Sequence, residues 1–407
     1  MRPRPPRCRR ATSAAALLTA LLVLTPACAD DQTRTGGTSG GEGETDPYAE
    51  PETEPDDRSG DDDEGDEGDE GDDVGLEEEE TEALLAMPGV ADAEVVTYAV
   101  DELTDRVSRV EMELDATTEQ VIAVLEAMGE SGGAPTLTIG PGAVNDPPPG
   151  SGTAALGSLG ETEEQRFLMV SALVEARDLL PEEIGVYVSQ PLDDGVGLPD
   201  TGDGLERPVL EAAVDADDAA AVVEPARLLL DSGLLGRVDS ATVSAGSVNG
   251  SSTISRGILT FGGHLAVPGL DEQALAAYER LARVRGPLPW VERSRIQVDV
   301  YRDQNIDMTL PFDVADPPQL DRRARARAEE ALWRAALPGL DALATLPRGS
   351  RLHVYTSGGA DDATNPLRDA EVLVSVGRGA ETPNGDRRPS ALSERAEAYL
   401  RERGAVR

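Results

Sequence analysis

Val110-Glu111-Met112-Glu113-Leu114-Asp115-Ala116 and Leu210-Glu211-Ala212-Ala213-Val214-Asp215-Ala216 lie far apart in the chain and read alike. In each, apolar side chains alternate with polar or small ones, and an Asp-Ala pair follows. Such alternation marks a strand with one face buried and the other wet. The first copy points Val110, Met112 and Leu114 inward and Arg109, Glu111 and Glu113 outward. A helical pattern follows at once. Thr117-x-x-Gln120 is a capping box, Val121, Val124, Leu125 and Met128 fall on one helical stripe, and Gly129 ends the helix. The second copy leads into an Ala-rich helix interrupted at Pro225.

Outward from these junctions the same elements recur. Before the first lie a helix, Glu82 to Met87, stopped by Pro88-Gly89, and a strand, Ala93 to Ala99. After it comes a strand from Pro135 to Gly140, so the order is α-β-β-α-β. Thr162-x-x-Gln165 opens a helix through Leu180 with Phe167, Val170 and Val174 inward. Strands at Ile184 to Ser189, Pro208 to Val214 and Val238 to Ala245 complete a second pass. The third has strands at Gly257 to Leu265, Arg295 to Tyr301, Ile306 to Asp313 and Arg351 to Thr356. Its helices run from Asp271 to Val284 and from Leu320 to about Ala336. A strand at Glu371 to Val376 and a helix from Ser390 to Arg403 follow. The expected class is α+β: tandem ferredoxin-like (split βαβ) units with antiparallel or mixed sheets and helices on one face. The units are 81–145, 160–250 and 255–407.

Part of the first unit resembles a heavy-metal-associated domain. The residues are Ala83-Leu84-Leu85-Ala86-Met87-Pro88-Gly89-Val90, Ala93-Glu94-Val95, Val110-Glu111-Met112 and Thr118-Glu119-Gln120-Val121-Ile122-Ala123-Val124-Leu125. In that family a leucine-rich helix ends in Pro-Gly-Val and leads into a strand, and a Thr-x-Glu-x-Ile helix follows later. The resemblance, over residues 83–129, implies a ferredoxin-like fold. It implies no copper chemistry, because the family's Cys pair is missing: no Cys follows Cys28.

The 407 residues carry 36 basic side chains, all arginine, against 78 acidic ones, for a net charge of −42. Without lysine there is no P-loop lysine, Schiff-base lysine or Ser-x-x-Lys pair. Two Cys and two His are too few for a structural zinc site or an iron–sulfur cluster. No metal or cofactor is expected. The charge argues against nucleic acid. Residues 30–80 alone hold 24 acids and two Arg, and Asp61 to Asp73 is almost wholly Asp, Glu and Gly. That composition predicts a disordered acidic tether over 29–80.

The first 28 residues read as a signal peptide, with arginines up to Arg10 and an apolar stretch from Ala14 to Leu24. Two processing routes are open. Cys28 fits the acylated first residue of a bacterial lipoprotein, although Thr25 stands where the lipobox has an aliphatic residue. Ala27-Cys28-Ala29 also fits ordinary cleavage after Ala29. Lipidation at Cys28 is the favoured expectation, since a Gly/Ser/Thr-rich tether follows. The chain is then exported and held at the cell envelope by lipid, the alternative being a secreted soluble protein.

No catalytic motif is complete. His264 follows Gly262-Gly263, and His353 sits opposite Leu352 and Val354; neither has a Gly-x-Ser-x-Gly elbow nearby. Arg322, Arg323, Arg325 and Arg327 are the densest basic cluster outside the signal. They read either as a docking site for phosphate or an acidic partner or as a solvated face balanced by Glu329 and Glu330. Trp290 and Trp333 are core or surface anchors. The expected function is a non-enzymatic envelope lipoprotein that binds an envelope protein or polymer, or serves structurally. The rival is a secreted hydrolase using carboxylates or His264 and His353.

Overall fold

The computed structural model describes residues 71–100, 103–130, 134–140, 152–157, 162–191, 207–249, 252–301, 304–314, 318–358, 365–382 and 388–406. Cys28, the signal segment and most of the tether lie outside them. Met1–Val74 and Gly75–Arg407 are separate units, and the whole sheet belongs to the second.

Helix α1 (Gly71–Leu85) precedes the sheet. Strands β1 (Val90–Val100) and β2 (Leu103–Met112) form a hairpin, and α2 (Thr118–Glu130) crosses to β3 (Ala134–Ile139), parallel to β2. β4 (Ala154–Leu156) turns back on β3, and α3 (Glu163–Leu179) crosses to β5 (Gly185–Ser189). The cycle repeats with β6 (Val209–Asp215), α4 (Val223–Ser232) and β7 (Ser240–Asn249). It repeats again with β8 (Ser252–Phe261), α5 (Leu270–Leu281), the short β9 (Arg293–Ser294) and β10 (Ile296–Val300). Then come β11 (Ile306–Val314), α6 (Arg322–Leu343) and β12 (Arg351–Gly358), followed by β13 (Val372–Ser375), β14 (Gly379–Ala380) and α7 (Ala391–Glu402). Among the described residues these fourteen strands make one mixed sheet in chain order, with β9 paired to β11. The sheet is continuous across 145–160 and 250–255, through the β3–β4 and β7–β8 pairs.

One aligned row shows where the core lies. Val110, Leu137, Leu156, Val188, Leu210, Ala241 and Phe261 are register partners in turn, and all are buried. Helices α2 to α7 each pack on the next, above this face. The local signals work as their chemistry requires. Thr117 and Gln120 cap each other reciprocally, at 2.8 and 3.4 Å, and Thr162 and Gln165 do the same at 3.0 and 3.2 Å. A 3-10 turn over Ala219–Val222 precedes α4, so Pro225 falls in that helix's first turn, where its missing N–H costs little.

The α+β class and mixed sheet stand, but strand order departs from the expected split βαβ plait. A plait inserts a later strand between earlier ones, which lets both crossovers be right-handed with both helices on one face. Here the sheet always advances in one direction, while successive parallel pairs point opposite ways. With every helix on one face, the crossovers from α2 to α6 therefore alternate in hand. The element order is shared by both arrangements, so reading it could not separate them.

Three local expectations also change. β2 ends at Met112, and Glu113-Leu114-Asp115 is spent on the turn into α2: Glu113 N–H donates to Gly89 O at 2.8 Å. Leu114 is therefore 51% exposed rather than inward. Phe167 is 54% exposed, because α3 buries the stripe through Met169, Val170, Leu173 and Ala176. Helix α1 also takes in residues 71–80, which composition assigns to the end of the tether.

Both sheet margins are closed by helix side chains. At β1, Thr97 N–H donates to Glu77 Oε1 at 2.7 Å and Val95 N–H to Thr81 Oγ1 at 3.2 Å. At the far margin, Leu373 N–H donates to Ser393 Oγ at 2.9 Å and Ala380 N–H to Glu397 Oε2 at 3.1 Å. Unpaired edge groups otherwise invite pairing with another chain.

Candidate functional site

The arginine cluster falls on the first two turns of α6, behind an Asp321 N-cap whose side chain accepts from Ala324 N–H at 2.7 Å. Arg322, Arg323, Arg325 and Arg327 are all exposed. The anticipated balance by Glu329 and Glu330 is partial. Glu329 pairs with Arg325 at 2.8 Å, but Glu330 faces away, toward Arg395 at 2.8 Å and Arg334 at 3.7 Å. Those guanidinium groups hold the Glu330 carboxyl below its ordinary range. Arg322, Arg323 and Arg327 have no carboxylate partner among the described residues. Arg322 and Arg323 stand in the first turn, at the positive end of the helix dipole, where cations are disfavoured and the N-cap Asp321 is the acidic neighbour, while Arg327 is in the second turn.

The histidines stay apart. His264 lies in a 3-10 turn (Gly263–Leu265) beyond β8, its backbone N–H and Nδ1 each 3.1 Å from Val238 O. His353 is on β12, on the sheet face away from the helices, with Nε2 3.1 Å from Glu371 Oε2 and its ring stacked on Tyr355 at 4.4 Å. Strands β10 and β11 lie between β8 and β12. Trp333 is buried under α7, while Trp290 is half-buried against the core.

Reading the residues in sequence missed a polar row on the open face. Thr242, Thr260, Asp299, Asp307, Arg351 and Ser375 are successive register partners across β7 to β13. Arg351 clamps Asp307 with Nε and Nη2. Burial pushes the Asp299 carboxyl above its ordinary range, against hydrogen bonds from Thr260 and Gln297, and the neighbouring Asp307 adds to the rise. The signal was the hairpin itself. Once Val300 pairs with Ile306, Asp299 must face Asp307.

A cleft of about 400 Å³ opens at one end of the sheet, between the β6–α4 junction and the segment leading into β10. Asp217, Asp218, Arg256, Arg285, Glu292 and Arg293 supply its charged lining. Elsewhere, Asp271 in α5 is buried and accepts from Gly262 N–H at 3.0 Å. Burial pushes its carboxyl up to about 6, more than that hydrogen bond lowers it. Among the described residues there is no group of three side chains able to hold a metal, and no helix long and apolar enough to cross a membrane.

No protein-family model matches the chain, and no curated protein does. Among solved structures, the crystal structure of the sex pheromone staph-cAM373 precursor aligns over 49% of this chain and 85% of that one, at 9% identity. Its TM-score is 0.15, too low to carry an argument about fold or function.

Proposed function

We propose that the protein is a non-enzymatic envelope lipoprotein, exported, anchored through lipid on Cys28, and docking an anionic envelope partner through the arginine face of α6. The observation that carries this is the set Arg322, Arg323 and Arg327. In a chain of net charge −42, three guanidinium groups stand on the first two turns of α6 without carboxylate partners among the described residues, Arg322 and Arg323 of them in the first turn, which disfavours cations. An anionic polymer or acidic protein surface would relieve both that repulsion and their lack of counter-charge. The separation of His264 from His353 weighs against the hydrolase.

Retention of the full chain on immobilised polyphosphate tests the docking face. It should fall with added salt and be lost in the triple variant Arg322→Gln, Arg323→Gln, Arg327→Gln. Equal retention of variant and parent would remove the reading. Labelling with a fatty-acid analogue, lost in Cys28→Ala, tests the anchor. The hydrolase keeps one supporting observation, the facing Asp299 and Asp307 in unlike surroundings. Hydrolysis of envelope polymers abolished by Asp299→Asn would favour it instead.

A further inference from the structure

The chain carries both halves of an electrostatic contact, and its topology keeps them apart. Asp61 to Asp73 holds ten acids, three glycines and no base. Arg322, Arg323 and Arg327 stand exposed on the first two turns of α6, with no carboxylate partner among the described residues. Helix α7 runs beside α6 in the same direction, Arg395 meeting Glu330 and Tyr399 meeting Asp341. The exposed Arg388, just ahead of α7, therefore lies toward the same end of the helix pair. A dense run of carboxylates complements such a face in sign.

The run falls short of the arginine face of its own chain. It leads straight into α1, which lies along β1 with Glu77 and Thr81 on the outward N–H groups of Thr97 and Val95. Helix α6 connects β11 to β12. Sequential pairing sets β11 nine strand spacings from β1, about 43 Å at ~4.8 Å each. The ten residues from Asp61 to Gly71 span at most about 35 Å, and the middle of the run about half of that. A second copy is under no such constraint. The net charge of −42 opposes the approach of two copies, but at physiological salt charges more than about 8 Å apart are largely screened, so the local pairing decides.

We propose that the arginine face of α6 docks the Asp61–Asp73 run of a second copy of this chain. The inference rests on that face being an anion-docking site, and it names the partner. The two surfaces differ, so the contact is head to tail, and each pair keeps one run and one face free for further copies. Sedimentation of the full chain over a concentration series tests it. At low salt the weight-average mass should rise roughly twofold or more toward submillimolar chain, and it should return to the monomer's at high salt. Two variants should each stay monomeric. One is Arg322→Gln, Arg323→Gln, Arg327→Gln on the face; the other is Asp61→Asn, Asp62→Asn, Asp63→Asn, Glu64→Gln, Asp66→Asn, Glu67→Gln on the run. Mixed in equal amounts they should associate again, one to one and no further, since one supplies the run and the other the face. The run variant should be retained on immobilised polyphosphate about as well as the parent, which separates this proposal from the docking face itself. A parent that is monomeric at every concentration and salt but retained on polyphosphate would overturn the partner and leave the face standing. Association unchanged in either variant, or mixed variants that stay apart, would also overturn it. So would a monomeric parent whose run variant gains retention several-fold, since the acids of its own chain would then occupy α6.

Discussion

At one margin of the sheet, Val95 and Thr97 give their outward N–H groups to Thr81 and Glu77; at the other, Leu373 and Ala380 give theirs to Ser393 and Glu397. In both helices the two acceptors are four residues apart. Four residues of helix rise about 6.0 Å, and two of strand about 6.6 Å, so a helix lying along β1 meets alternate N–H groups in step. The apolar support behind the two devices differs. Helix α7 buries Leu392, Ser393, Ala396 and Leu400, and it is tied to α6 by Arg395 over Trp333 at 4.1 Å and by Tyr399 hydroxyl to Asp341 at 2.6 Å. Of the α1 side chains from Glu77 to Leu85, only Leu84 is buried. The same kind of hydrogen bond thus closes both margins, but α7 gives four buried side chains to the interior where α1 gives Leu84 alone, so edge protection and core stability are separable properties of this sheet.

Truncation should expose that difference most plainly. Leu400→Ala is expected to cost about 2–5 kcal/mol in global unfolding, since the side chain is fully buried. Leu84→Ala should cost clearly less in the same denaturant titration, because the rest of α1 from Glu77 to Leu85 adds no other buried side chain around it. Equal losses would make the two helices equivalent. An internal standard comes from α5, away from both margins. Asp271 ionises at about 6 in the folded chain against an ordinary 3.8, so burial favours its protonated form. Its penalty is absent below about pH 4 and complete above about pH 6. Asp271→Asn keeps an oxygen for Gly262 N–H and should stabilise by roughly 1–3 kcal/mol at pH 8 and by almost nothing at pH 4. A gain equal at both pH values would refute the assignment. Ser393→Ala comes next, at about 1–2 kcal/mol, because the hydroxyl is buried and both accepts from Leu373 N–H and donates to Glu371 O.

Much of this was legible locally. Capping boxes at Thr117 and Thr162, and alternation through Val110 and Met112, depend on neighbours within a turn or a strand, so local spacing suffices to find them. Leu114 and Phe167 were misplaced because apolar spacing continues past the point where tertiary structure stops using it. Strand order was not legible, since sequential pairing and a plait use identical elements. The arginine face was visible as a cluster, but not that Glu330 turns to Arg395, sixty-five residues away. The cleft was invisible, because Asp217, Arg256 and Arg293 line it from the β6–α4 junction, β8 and β9, which come together only once the sheet has paired from β6 to β11.

The smallest effect probes the N-terminal device directly. Thr81→Val keeps the side chain's shape and removes the oxygen that accepts from Val95 N–H. Global stability should change by only a few tenths of a kcal/mol, because α1 contributes little core. Hydrogen exchange resolves what denaturation cannot. The Val95 amide should exchange roughly fivefold to tenfold faster, as expected for about 1 kcal/mol lost from one local hydrogen bond. Thr97 should follow to a smaller extent, its acceptor on Glu77 being carried by the same helix. Leu373 and Ala380, at the opposite margin, should keep the parent rate. If Val95 is unaffected, α1 does not guard that edge in solution. If all four amides accelerate together, the margins open as one unit and the contrast between them fails.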